Sequence, residues 1–493
     1  VSLIDNVIGL VSPGWQVARM RSRLQIKAYE AAIPTRTHRA RRESRNANQL
    51  VRSGGRSLRE QARFLDDNHD LVIGLLDKLE ERVIGAKGII VEPQPLLRGG
   101  ELADDLAKQI RTAWAEWSVS PDVTGQYTRP VLERLMARTW LRDGEVFGQM
   151  VAGRAKGLER KRGVHFWIEA LEPDFVPLEQ DVPGSNICQG IKLSEWGRPV
   201  SYNVYKNMPS ALFRSQNLKT ITAENMLHLK FTRRLHQLRG NSLLSGILIR
   251  LSALKDYEDA ELTAARIAAS LGMYIKKGDA TNYVSEDVPD ERELNIEPGI
   301  IFDDLSPGEE IGMVKSDRPN PNLQSFRNGQ LRAVAAGSRG SYSSISRDYN
   351  GTYSAQRQEL VESFEGYGIL QDAFVAAVTR PMYRRWLKIA VAEGAIVVPP
   401  DVDPASLMNA IYSGPVMPWI DPLKEAKAWQ VLLRGGAATE GEWVRARSSS
   451  PADIKRRRKA EIDENRKLDL VFDTDPANDK GAADDEKSAK EDD

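Results

Sequence analysis

Residues able to do chemistry are thinly spread along this chain. Its five histidines (His38, His69, His165, His228 and His236) stand apart, with no H-E-x-x-H helix and no Cys/His set of zinc spacing. The one cysteine, Cys188, lacks the surroundings of a nucleophile, and a lone cysteine permits no intrachain disulfide and fits a reducing compartment. Glu145 follows Gly144 and reads as a turn residue, not a general base. His228, in an apolar run, reads as a core residue whose ring nitrogens are satisfied. Asp303-Asp304 suggests a cation, but neighbours on a strand point to opposite faces and no EF-hand spacing is present. Neither a G-x-x-x-x-G-K-[ST] phosphate loop nor a G-x-S-x-G elbow occurs. We therefore expect no catalytic residue, no cofactor and no resident metal. A nuclease built from scattered carboxylates leaves little local signature, so a metal-dependent DNA-processing enzyme stands as the alternative. What remains is a polar stretch, Ser341–Ser354, with Arg347, Asp348 and Asn350 at its tip, suited to touching a partner or a polymer.

The elements around that stretch read as helix, loop, helix. Leu323, Phe326, Leu331, Val334 and Ala335 recur at helical spacing and end in a Gly/Ser cluster. A second helix starts near Ser354 with Leu360, Phe364, Tyr367 and Phe374 on one side. Arg380-Pro381 predicts a kink or restart, because proline breaks the hydrogen-bond ladder. Upstream, Ser242 is a plausible N-cap for a helix running to about Lys276, roughly 50 Å at 1.5 Å per residue. Its stripe is Leu244, Ile247, Leu248, Leu251 and Leu254, and its second half is rich in alanine.

The rest bounds the class. A chain of 493 residues with 41% hydrophobic and 28% charged content suggests several globular domains. Lys+Arg and Asp+Glu are equal at 69 each, so any nucleic-acid contact must come from local charge. No apolar run spans a bilayer. Residues 1–50 form a basic arm. Residues 51–240 alternate helices (from Arg56, Leu102 and Pro130) with strands near Ile89–Val91, Val146–Val151, Phe166–Val176, Gly190–Tyr205 and Leu227–Phe231, an α+β pattern. Residues 278–318 are acidic and rich in Gly and Pro. A helix begins at Trp419-Ile420-Asp421-Pro422, Asp453–Arg466 reads as a charged helix, and the acidic end, 474–493, reads as disordered.

The string Ala335-Ala336-Gly337, Ser341-Tyr342, Asp348-Tyr349-Asn350, Tyr353-Ser354 and Arg357 resembles the best-marked segment of lambda-type portal proteins of tailed bacteriophages. So do Gly197-Arg198-Pro199, Tyr202, Tyr205, His228, the run Gln237-Leu238-Arg239-Gly240-Asn241-Ser242, and the Trp-x-Asp-Pro-x-Lys-Glu stretch at Trp419. Ser338-Arg339-Gly340 departs from the family's usual Leu and Val.

The resemblance implies an α+β portal fold. Its parts would be an α/β wing at 51–240, a first stem helix at 241–277, a small clip at 278–318 and a second stem helix at 319–341. A tunnel loop would follow at 342–353, a long wing helix at 354–398 and a helical crown at 399–473. It further implies a head–tail connector at one capsid vertex of the virion, a ring of about twelve copies, through which double-stranded DNA is packaged and ejected without sequence specificity. Arg347, Asp348, Tyr349, Asn350, Gly351 and Thr352 would face the DNA, with Gly351 lending freedom to change shape. Asp287, Asp290, Glu291 and Glu293 in the clip would dock the terminase large subunit or a head-completion protein. A capsid or scaffold protein would surround the ring. Another head or scaffold protein that forms a lattice is the remaining rival.

Overall fold

The structure is a computed structural model that describes residues 12–15, 17–19, 43–153, 157–158, 163–207, 209, 217–269, 273–277, 309–313, 322–418, 421–447, 449–470 and 472. Contacts divide the chain into two units, Val1–Leu50 and Val51–Asp493. Asp287, Asp290, Glu291, Glu293 and the tail after Thr474 lie outside the described residues.

Helix α1 (Ala47–Asn68) starts within the stretch read from sequence as an arm. Asn46 explains the early start: its side-chain oxygen accepts a hydrogen bond from the Gln49 amide at 2.8 Å and caps the helix. α2 (Asp70–Val83) buries Leu71, Val72, Leu75, Leu76, Leu79 and Val83 as one stripe. β1 (Ile90–Pro93), α3 (Asp104–Trp117) and α4 (Arg129–Asp143) follow, with Pro130 in the first turn of α4 and Gly144 closing it at φ 93°.

Next come β2 (Glu145–Ala152), β3 (Phe166–Leu171), β4 (Ile187–Cys188), β5 (Ile191–Leu193), β6 (Pro199–Tyr205), β7 (Leu218–Thr222) and β8 (Met226–Lys230). They form two antiparallel sheets, β3-β2-β8 and β4-β5-β6-β7. The three-stranded sheet obeys a period of two. Val146, Met150, Phe166, Ile168, Leu227 and Leu229 face the helices. Phe147, Leu171 and Met226 face Ile191, Tyr202, Val204 and Ile221 of the second sheet. The strand expected over Phe166–Val176 stops at Leu171, because Pro173 opens a 3-10 turn, Pro173–Phe175.

The helix expected from Ser242 to Lys276 is shorter. Ser242 does cap a 3-10 turn (Leu243–Gly246), and α5 then runs Leu248–Ala269. Met273–Lys277 is a strand instead, β9, paired antiparallel with β10 (Glu309–Met313). Tyr274 and Ile275 favour a pleated strand over a helix, and Lys276 and Lys277 stand opposite Glu310 and Glu309.

α6 (Leu323–Ser338), α7 (Tyr342–Ser346) and α8 (Tyr353–Phe374) follow. The restart expected at Arg380-Pro381 is present as a change of helix type just before the proline. A π-helical turn, Val375–Thr379, joins α8 to α9 (Arg380–Ala392), and the Arg380 amide donates to the Val375 carbonyl five residues back. The wider turn accommodates the proline ring while the helical path continues. Tyr383 and Trp386 of α9 enter an aromatic cluster with Trp114 and Trp117, and Trp114 stacks on Trp117 with ring centroids 4.7 Å apart.

β11 (Ala410–Ser413) returns to pair with β1. α10 (Pro422–Arg434) is capped by Asp421, and α11 (Glu440–Arg445) by a Thr439/Glu442 capping box; neither buries a residue. α12 (Pro451–Lys467) buries only Pro451. Among the described residues, no helix is long and apolar enough to cross a membrane.

Candidate functional site

The polar stretch is more ordered than a loop. Ser341 begins α7 by accepting from the Ser344 amide at 3.3 Å, so 342–346, expected as loop, are helical. Serines favour helix starts because their hydroxyls replace missing backbone partners. Ser343 is tied to α8, its amide and hydroxyl donating to the two Glu359 carboxylate oxygens at 3.0 and 2.7 Å. Arg347 then turns the chain in the left-handed conformation, φ 56°.

Asp348 builds the tip. One of its oxygens accepts from the Asn350 amide at 3.1 Å and the other from the Tyr342 hydroxyl at 3.3 Å. Its own amide donates to the Ser346 hydroxyl at 3.2 Å. The Gln356 amide group donates to the Tyr349 carbonyl. Thr352 caps α8 through the Ala355 amide at 3.3 Å. The six expected residues are therefore together, but they divide by role. Arg347, Tyr349, Asn350 and Gly351 are exposed; Asp348 is half-buried and spends its carboxylate on the turn; the exposed Thr352 uses its hydroxyl as a cap. Gly351 is not in the left-handed region, and a Cβ there would meet Gln356 at 3.4 Å, ordinary contact. The conformational demand expected of Gly351 falls on Arg347.

α6 leads into α7 and this loop, and packs against α5. Tyr257 and Phe326 meet edge to face at 5.0 Å, Arg327 pairs with Glu258 at 2.5 Å, and Arg250 bonds Gln330. Gly337 permits the close approach at the base, since a Cβ would lie 2.5 Å from the Ile247 side chain. Between the helices runs an open groove lined by Ile249, Ala253, Leu254, Tyr257 and Phe326. Ile249 is 86% exposed and Phe326 46%, an unusual outlay of apolar surface on one helix pair.

The start of α5 is fixed by a buried ionic centre that sequence reading missed. Glu145 and Arg239 are both fully buried, 2.8 Å apart. Glu145 also accepts from Arg59 at 3.3 Å and the Gly240 amide at 2.9 Å, and pairs with His228 Nε2 at 3.3 Å. Arg239 donates its remaining hydrogens to the Val176, Gln189 and Pro173 carbonyls. Burial pushes the Glu145 carboxyl up, but Arg239, His228 and Arg59 outweigh this and hold it well below the usual carboxylate range. Burial carries the His228 imidazole down to about 4 despite its Glu145 partner. His228 stacks on Phe147 at 4.3 Å, a satisfied core residue. Glu145, in contrast, is no mere turn residue. The signal was its place on β2: it shares a face with Phe147, which a sheet covered on both sides must bury.

The same string explains its glycine. A Cβ on Gly240 would sit 2.0 Å from the Gly144 carbonyl oxygen. We expect Gly240→Ala to cost about 3 kcal/mol or more, since backbone must move. A urea midpoint equal to wild type would refute this packing.

Among the described residues, no group of three or more His, Cys, Asp or Glu is placed to hold a metal ion.

The class defined by these elements is a mixed α and β chain: helices layered on paired sheets, the helix pair α5 and α6, and a capped loop between α6 and α8. The family described as phage portal protein, lambda family, matches residues 34–371, and the chain belongs to it. Solved structures of gene transfer agent (GTA) particles are similar at a distance. A chain from the virion of the native particle is 12% identical, with TM-score 0.42, covering 79% of this chain and 91% of that one. A chain from the neck of the native particle, computed with C12 symmetry, is 12% identical with TM-score 0.41, covering 85% and 96%. A chain from the neck of the empty particle, computed with C6 symmetry, is 12% identical with TM-score 0.41, covering 83% and 95%.

Proposed function

We propose that copies of this portal protein close into a ring at a capsid vertex of the virion, and that double-stranded DNA passes through its channel past the loop Arg347–Thr352. The observation that carries the reading is the loop itself: an exposed tip held at one end by the Thr352 cap of α8 and at the other by α7, which Ser343 ties to Glu359. Such a tip keeps its position while a polymer moves by. Its chemistry fits sliding, because one arginine among neutral polar groups grips phosphates far less than a dense basic belt does. Asp287, Asp290, Glu291 and Glu293 belong to a clip that docks the terminase large subunit during filling and a head-completion protein afterwards. A capsid or scaffold protein surrounds the ring.

End-on electron microscopy of the purified protein, with particle mass, tests the ring; a compact dimer with metal-dependent nuclease activity would overturn it. The loop is tested by exchanging Arg347–Gly351 for a Gly/Ser linker of equal length while keeping the Thr352 cap. Rings should form normally and DNA packaging or retention should drop sharply. Loss of rings instead would make the loop an assembly element.

A further inference from the structure

Among the described residues, Trp196 is the most exposed of the large apolar side chains, at 96%. It stands at the tip of the turn between β5 and β6, and the turn is built to hold it there. The Gly197 amide donates to the Ser194 carbonyl at 2.9 Å and the Ser194 amide to the Arg198 carbonyl at 2.8 Å. The Arg198 amide donates to the Ser194 hydroxyl at 3.1 Å. Gly197 takes φ 73°, the left-handed residue that closes a three-residue hairpin loop. A large aromatic draws its free energy from burial, and an indole held in water on a rigid turn has drawn none of it. Arg198, two residues on, is also exposed, and its guanidinium makes no ion pair among the described residues. Trp and Arg are the side chains on which binding energy concentrates at interfaces.

We propose that Trp196 of one copy seats in an open groove beside α4 of the next copy, a head-to-tail contact of the assembled ring. The groove measures 280 Å³ and is walled by Tyr127, Leu132, Leu135, Met136 and Phe175. That is just below the about 300–1,000 Å³ of sites that take drug-sized ligands, and it suits one large side chain. Leu135 is 42% exposed, so the wall is apolar and open to water. The charges agree, because the charged residues of the groove, Asp122, Glu169 and Glu172, are all acidic. Asp122 is engaged by Thr124, and Glu169 by Lys219 at 2.7 Å. Glu172 reaches Arg63 and Arg142 only at 3.5 and 3.6 Å, and it is the carboxylate to which Arg198 brings a closer partner. Position excludes the chain's own turn. Lys219, which holds Glu169 at the rim, stands opposite Val204, five residues along β6 from Pro199. At about 3.3 Å per residue this end of the groove lies roughly 17 Å from the hairpin end of the strand. The inserting and receiving surfaces therefore differ, and a heterologous contact of this kind closes into a ring of more than two copies. A pocket on another head protein would receive Trp196 but leave the groove unfilled; a second copy satisfies both. The inference deepens the ring reading and rests on it.

The test puts the photoreactive aromatic p-benzoylphenylalanine at position 196 of the full-length protein. The protein is irradiated, the joined peptides are mapped by mass spectrometry, and particle mass is recorded on the same sample. The expected product is a covalent dimer in which position 196 of one copy is joined to α4, or to Leu171–Phe175, of another. No adduct, or one elsewhere on the chain, overturns the contact; particle mass then reports separately whether rings form. An adduct at the groove in open filaments keeps the contact and overturns the ring reading. Irradiation is repeated with the other head proteins co-expressed, and transfer of the adduct to one of them overturns the proposal and assigns the indole to that protein. Trp196→Ala is the companion variant. Its unfolding midpoint should match wild type, because the indole is already in water, while the concentration for half-assembly should rise about tenfold. Assembly at the wild-type concentration overturns the proposal. So does a lowered unfolding midpoint, which would make Trp196 a residue of the fold.

Discussion

Glu145→Ala is expected to destabilise the protein by about 3–5 kcal/mol, the usual cost of leaving a buried charge without its partner. Arg239 is fully buried and has no route to water, and its three carbonyl partners do not neutralise it. Denaturant unfolding of the two proteins would show the difference as a lower midpoint. A second variant separates charge from packing: Glu145→Ala with Arg239→Met should recover much of the loss, because an apolar replacement of a buried pair is often neutral. If the single variant unfolds at the wild-type midpoint, the centre does not hold the sheets to the start of α5. The same centre sets the acid response. His228 has a folded pKa of about 4, below its ordinary 6.5, so its contribution is complete above pH 6.5 and declines as pH falls toward 4. Glu145 is likewise depressed, so its contribution is complete above its ordinary 4.5 and is lost as pH falls further. Stability should therefore slope downward from about pH 6.5, and His228→Gln should flatten the upper part of that slope.

Ring assembly is expected to fail in Ile249→Glu while each protomer stays folded. Ile249 is 86% exposed beside Ala253, Tyr257 and Phe326, so a carboxylate there costs the isolated protomer little. We assign this exposed groove to the contact between neighbouring copies in the proposed ring, where an unpaired charge is expensive. Mass photometry together with an unfolding curve distinguishes the cases. Rings at wild-type yield would place the seam elsewhere. An unfolded protomer would mean that Ile249 supports the fold itself.

Much of this architecture was legible because the apolar spacing was strong. Leu71 to Val83 announced α2, the alternation Phe166-Ile168 announced β3, and Ser242 announced the start at the base of α5. The failures were places where long-range contact overrode local pattern. Met273–Lys277 follows an alanine-rich helix and becomes a strand because a partner strand lies opposite. Tyr342–Ser346 looked like loop because serines dominate it, yet the preceding Ser341 hydroxyl caps the helix and the Ser346 hydroxyl donates to the Tyr342 carbonyl. In the site, the exposed tip residues were visible as a polar run. The left-handed turn at Arg347 and the inward use of Asp348 were not, since both depend on where Tyr342 and Ser346 lie in space. Glu145 and Arg239 are 94 residues apart in sequence, and no local pattern joins them.

The unbroken helical path from Tyr353 through the π turn to Ala392 has a mechanical meaning. It is a beam of about 60 Å at 1.5 Å per residue. One end carries the loop tip. The other is packed among Trp114, Trp117, Tyr383 and Trp386, all buried. The helix thus joins the loop tip directly to the aromatic cluster. The geometry changes along the beam at the π turn, where a five-residue hydrogen bond replaces a four-residue one. Bending should concentrate there, which makes Val375–Thr379 the elastic element between tip and foundation.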